Sequence, residues 1–125
     1  MERRSACNTK PRFGDIYYAN LNSTGSVQGG KRPVLIIQND KGNRYSTTTE
    51  VLPFTSQIRK ASYMPTHVVV RPSSDNGLTC VSVVLGEQAL TVNMDCLLQK
   101  LGHLEHETLI RVGAAREIQC PFPKE

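Results

Sequence analysis

The run Arg32-Pro33-Val34-Leu35-Ile36-Ile37-Gln38-Asn39 constrains the fold more than any other part of the chain. Its unbroken apolar centre reads as a strand buried on both faces. Such a strand must lie inside a sheet, because its backbone groups need partners on either side. Pro33 near its start is tolerated, since the first residues of a strand need not donate to the ladder.

The neighbouring segments supply candidates for that sheet. Asp15-Ile16-Tyr17-Tyr18-Ala19-Asn20 is short, aromatic and bounded by polar residues, which reads as a strand. A glycine-rich loop follows from Asn22 to Lys31, long enough to suggest a functional segment. Asp40-Lys41-Gly42-Asn43 reads as a turn and Tyr45 to Phe54 as a second strand, closed by a short helical turn over Thr55 to Lys60. Thr66 to Arg71 is a further β run, Pro72 to Gly77 a hairpin-type connection, and Leu78 to Gln88 a long Val-rich strand. Asp95 to Leu104 fits strand or helix equally. From Glu105 to Ile118, Leu109, Val112, Ala115 and Ile118 recur at three-residue spacing, which predicts an amphipathic helix that Pro121 stops. Many short strands with one terminal helix make a β-rich α+β fold, a small antiparallel β-barrel.

At 125 residues the chain suits one domain, expected over 12–125, behind a polar, basic arm over 1–11. No apolar run approaches the roughly 20 residues of a membrane span, and no apolar stretch follows the basic amino terminus, so a cytoplasmic protein is expected. Cys7, Cys80, Cys96 and Cys120 lie far apart, without zinc-ligand spacing, and no metal or cofactor is expected. A cysteine inside a strand is usually a small buried hydrophobe. Residues 1–60 hold ten Lys or Arg against four Asp or Glu, a charge of +6, and residues 61–125 hold five against seven, a charge of −2. A basic first half suits a polyanion, and equally suits an ordinary solvated surface.

Arg32 sits where the glycine-rich loop meets the buried strand. A guanidinium held on a rigid backbone there can clamp a phosphate, or can simply end a strand. Thr55-Ser56-Gln57 offers two hydroxyls and an amide at the end of the next strand. These groups can meet phosphate oxygens, or can satisfy the backbone of a strand-to-turn junction. His67, His103 and His106 show no pairing for acid–base cleavage of RNA. No nucleophile elbow and no phosphate-binding Walker loop is present.

Gly14-Asp15-Ile16-Tyr17-Tyr18-Ala19-Asn20-Leu21 and Gly25-Ser26-Val27-Gln28-Gly29-Gly30-Lys31-Arg32-Pro33-Val34-Leu35-Ile36-Ile37-Gln38-Asn39-Asp40 resemble the MazF/PemK toxins, in the Gram-positive branch. Gly42-Asn43-Arg44, Thr55-Ser56-Gln57-Ile58, Pro65-Thr66-His67-Val68 and Glu87-Gln88 follow in the family's order and spacing. The resemblance spans roughly Arg12 to Ile118. It implies an SH3-like β-barrel of the CcdB/PemK/MazF kind, a homodimer, and an mRNA interferase that cuts single-stranded RNA without a metal. The expected products are a 2′,3′-cyclic phosphate and a 5′-OH. The expected partner is a MazE-like antitoxin with an acidic, disordered tail. The family's catalytic Arg and Thr fall on Arg32 and Thr55, and Ser26, Gln28, Lys31, Asn39, Ser56, Gln57 and Gln88 are expected near the RNA. Two positions depart from the pattern. Val27 stands where the family often has a Glu proposed as general base, and Leu90 where relatives tend to carry Arg. These departures motivate an alternative: a toxin-fold chain that binds RNA without cutting, or a gyrase-directed, CcdB-like toxin.

Overall fold

The computed structural model of the chain describes residues 10–22, 29–58 and 64–124. Among them are seven strands: β1 (Asp15–Asn20), β2 (Lys31–Ile36), β3 (Thr48–Thr55), β4 (His67–Val70), β5 (Ser82–Leu85), β6 (Leu90–Asn93) and β7 (Leu97–His103). Two α-helices accompany them, α1 (Asp40–Tyr45) and α2 (His106–Gln119). The strands run β4-β5-β3-β2-β1-β7, with β6 also on β3, and every pair is antiparallel. The architecture is the mainly β, barrel-like one that the strand pattern predicts. No helix among the described residues is long and apolar enough to cross a membrane.

The central strands are buried on both faces, and alternate residues feed two cores. Ile16, Leu35, Leu52 and Phe54 pack toward Val112 and Ala115 of α2. Ala19, Val34, Ile36, Val51 and Val92 form the second core on the other face. Burying apolar area of this kind stabilises the sheet by roughly 25 cal/mol per Å². Residues 1–9 of the expected arm lie outside the described residues. Its last two residues pack on the domain: Pro11 is buried, and Lys10 Nζ donates to the Ser46 carbonyl at 3.0 Å.

Three segments differ from their sequence expectation, and a fourth that fits strand or helix is decided, each for a visible reason. Asp40–Asn43 is not a plain turn but the start of α1, because Asn39 caps it by accepting from the Gly42 N–H at 2.7 Å. The fully buried Asn43 then anchors the helix, accepting from Gln38 and from the Thr49 hydroxyl and donating to the Gln38 carbonyl. The strand expected over Leu78–Gln88 contracts to Ser82–Leu85. Gly86 ends it where a Cβ would lie 2.4 Å from the Thr66 carbonyl oxygen. The ambiguous Asp95–Leu104 stretch becomes a 3-10 turn over Met94–Cys96 and strand β7. Finally, Val112 and Ala115 are buried as expected, yet Ile118 is 54% exposed. Three-residue steps fall short of a turn by about 60° each, so the third step carries Ile118 to the far side of α2.

None of the described cysteines lies in a strand: Cys80 is exposed, Cys96 and Cys120 are half-buried, and all three are free. Burial pushes the Cys96 thiol upward, and the Asp95 carboxylate adds to the rise.

Candidate active site

β2 and β3 pair in a register that ends at Val34↔Pro53. Pro33 has no N–H to give to the next carbonyl of β3, that of Phe54, and the Arg32 side chain donates to it instead. On its other edge β3 pairs with β5, with Thr55 opposite Val83. A cleft of about 470 Å³ lies at this end of the two strands, lined by Arg32 and Thr55 among others. Continued two residues further, the same register sets Arg32 across from Thr55.

The Arg32 guanidinium is tethered on both sides. Its Nη1 donates to the Phe54 carbonyl at 3.1 Å, and its Nε and Nη2 donate to the Gly29 carbonyl at 3.2 and 3.1 Å. Three of the five N–H donors of the fork are therefore engaged, and one remains on each terminal nitrogen. Those two can donate to phosphate oxygens. The Thr55 hydroxyl oxygen accepts from the Gln57 N–H at 3.2 Å, which orients it and leaves its proton free to donate. The backbone contacts fix both groups, and both still line the cleft.

The other expected site residues divide into three groups. Lys31 and Ser56 line the same cleft as Arg32 and Thr55, and Gln57 is exposed just beyond them. Asn39 and Gln88 lie elsewhere. The Asn39 side chain caps α1, and Gln88 follows β5, its buried Oε1 without a hydrogen bond among the described residues. Ser26, Val27 and Gln28 lie outside the described residues. No histidine lines the cleft. His67 bonds Glu87 at 2.8 Å, and His103 Nδ1 bonds the buried Asp15 at 3.1 Å. Burial pushes the Glu87 carboxyl up, but hydrogen bonds from His67, its own backbone N–H and Thr66 outweigh this and hold it below 4.5.

Local sequence reasoning missed the far wall of the cleft, formed by Gly77 to Cys80, and also Tyr18, Gln99 and Leu101. Asn76 builds that wall. Its side chain accepts from the Ser73 and Leu78 N–H groups at 3.0 Å each and donates to the Arg71 carbonyl at 2.9 Å. Glu105 at the start of α2 takes hydrogen bonds from the Ser73 hydroxyl and the Asn76 amide, which hold its carboxyl below the usual range. Asn76-Gly77 signals a turn in the sequence, but nothing local says that it docks on β7.

The family model described as PemK-like, MazF-like toxin of type II toxin-antitoxin system matches residues 12–118. The chain belongs to this toxin family. Endoribonuclease EndoA of Bacillus subtilis is 45% identical over 106 residues, covering 84% of this toxin and 90% of that protein. Among solved structures, an endoribonuclease in complex with its cognate antitoxin from a mycobacterial species matches with a TM-score of 0.74 at 25% identity, over 92% of this toxin and 99% of that chain. MazF from Deinococcus radiodurans matches with a TM-score of 0.75 over 91% and 99%, and at 21% identity that likeness concerns the fold. In this toxin Leu90 faces Val51 across β6 and β3 and packs against the Val34–Ile36 core.

Proposed function

We propose that this toxin is an mRNA interferase, a sequence-selective endoribonuclease that cuts single-stranded RNA without a metal ion. The observation that carries the reading is the joint placement of Arg32 and Thr55 in one cleft, each oriented by backbone contacts and each with hydrogen-bond donors to spare. The 2′-oxygen attacks the adjacent phosphorus and the P–O5′ bond breaks. The proton lost from the 2′-OH is balanced by one gained at the 5′-oxygen, which leaves a 2′,3′-cyclic phosphate and a 5′-OH. Negative charge builds on the phosphorane oxygens, and the two free Arg32 N–H groups meet it. Thr55 donates to the same phosphate. Lys31, Ser56 and Gln57 surround these groups. The resemblance implies RNA contacts for Ser26, Gln28, Asn39 and Gln88 as well, although Asn39 and Gln88 lie outside this cleft. In the same reading the toxin works in the cytoplasm as a homodimer whose two subunits shape the RNA groove. A MazE-like antitoxin lays an acidic tail over the basic first half to silence it.

The test is cleavage of a long single-stranded RNA in EDTA with the 5′-OH ends mapped. Arg32→Ala should slow cleavage by roughly 10²–10³-fold, as loss of an oxyanion donor does elsewhere. Thr55→Val, which keeps the shape and removes the hydroxyl, should slow it too. A requirement for Mg²⁺, or undiminished cleavage by Arg32→Ala, would rule the mechanism out. Growth inhibition with intact cellular RNA would point instead to the binding-only or gyrase-directed alternative.

A further inference from the structure

The cleft is larger than its two catalytic candidates need. A volume of about 470 Å³ falls within the ~300–1,000 Å³ of small-ligand sites, and a single phosphodiester fills little of it. Beyond Arg32 the lining changes character, to Tyr18, Pro33, Leu78, Gln99 and Leu101. We propose that this part of the cleft is a nucleobase pocket beside the scissile phosphate, in which Tyr18 stacks on one base and Gln99 reads its hydrogen-bonding edge. The inference rests on the endonuclease reading above and goes further, to the residue that sets part of the sequence preference.

Three observations support it. Tyr18 and Gln99 are direct cross-strand partners of β1 and β7, so both side chains emerge on one face. Neither side chain has a hydrogen-bond partner among the described residues, so the ring and the amide are available to a ligand. The register of β7 against β1 slips twice, between Ile16/Tyr17 and between Tyr18/Ala19, which leaves Leu101 and Leu98 as extra residues around Gln99. Bulges occur next to active sites, where they re-aim a side chain.

The chemistry divides the work between the two residues. An aromatic face stacks on any base and adds affinity with little selectivity. An amide presents an acceptor and donors side by side, which matches the paired groups on an unstacked base edge and rejects a base whose groups are reversed. Leu78 and Leu101 close the pocket with apolar surface, so a polar edge turned toward them loses hydrogen bonds to water without replacement.

A pool of randomised single-stranded RNA, cut by the full chain and sequenced at its 5′-OH ends, tests this. The wild type should show base bias at fixed positions around the cut. Gln99→Ala should relax the bias at one of them by about ten-fold, the scale of a paired amide–base contact, and Tyr18→Ala should raise KM at every site. Gln99→Ala with an unaltered pattern, or with a uniform loss at all sites, would overturn the pocket. A wild type that cuts nothing overturns the nuclease reading separately. The pocket is then tested through binding, by Arg32→Ala protein with and without Gln99→Ala on oligomers that differ at one base. Equal selectivity in those two proteins rejects it.

Discussion

Arg32 shows how one side chain serves structure and chemistry together. Its bonds to the Gly29 and Phe54 carbonyls join the loop end to β3, and they also fix the plane of the fork. A Lys could replace the charge but not that plane. Glu87 is tuned in a comparable way on the other side of β5. Its folded-state pKa lies below the ordinary 4.5, so its contribution to stability is complete above that value and disappears as the pH falls through the folded one. Melting temperatures of wild type and Glu87→Gln should therefore differ most near neutral pH and converge below 4.5. A separation that stays constant across that range would mean that the charge on Glu87 contributes nothing.

At the scale of elements, the far wall of the cleft depends on how closely the 73–80 segment approaches β7. Gly77 has φ +69°, and a Cβ there would lie 2.1 Å from the Leu101 carbonyl oxygen. Gly102 makes the reciprocal approach, with its own Cβ position 2.2 Å from the Asp75 carbonyl oxygen. Gly77→Ala should destabilise the protein by about 2 kcal/mol or more, through the left-handed backbone and the clash together. Gly113 gives the opposite sign. It lies exposed in α2 with nothing within 4 Å of a Cβ, so Gly113→Ala should stabilise by about 1 kcal/mol. Denaturant midpoints that moved the same way in both variants would contradict this account.

Over the whole molecule the charge is divided, +6 in residues 1–60 and −2 in the remainder. Lys31 and Arg32 of the basic half line the cleft itself. RNA binding by the Arg32→Ala protein should weaken steadily with salt, with a log–log slope near −2 at about 0.7 per phosphate for roughly three phosphates engaged. A flat dependence would show that the basic half does not hold the RNA backbone.

Several features were legible because they depend on neighbours along the chain. Val34-Leu35-Ile36 announced a two-sided core strand, and all three are fully buried. The order Arg32, Thr55, Glu87-Gln88 carried the family pattern. Capping and docking were less visible. Asp40–Asn43 looked like a turn because its helix is held by Asn39 and by Thr49, which lies on another element. A three-residue repeat predicts one face and a buried Ile118, but the helix turns every 3.6 residues and leaves it exposed. Core strands such as Val34-Leu35-Ile36, and the residue types able to meet a phosphate, are readable from the chain alone. The packed fold alone brings Arg32 and Thr55 into one cleft and lines it with Tyr18 and Gln99. The reason is physical: local patterns encode burial and propensity, whereas a cleft is made by register, bulges and close backbone approaches between segments distant in the chain.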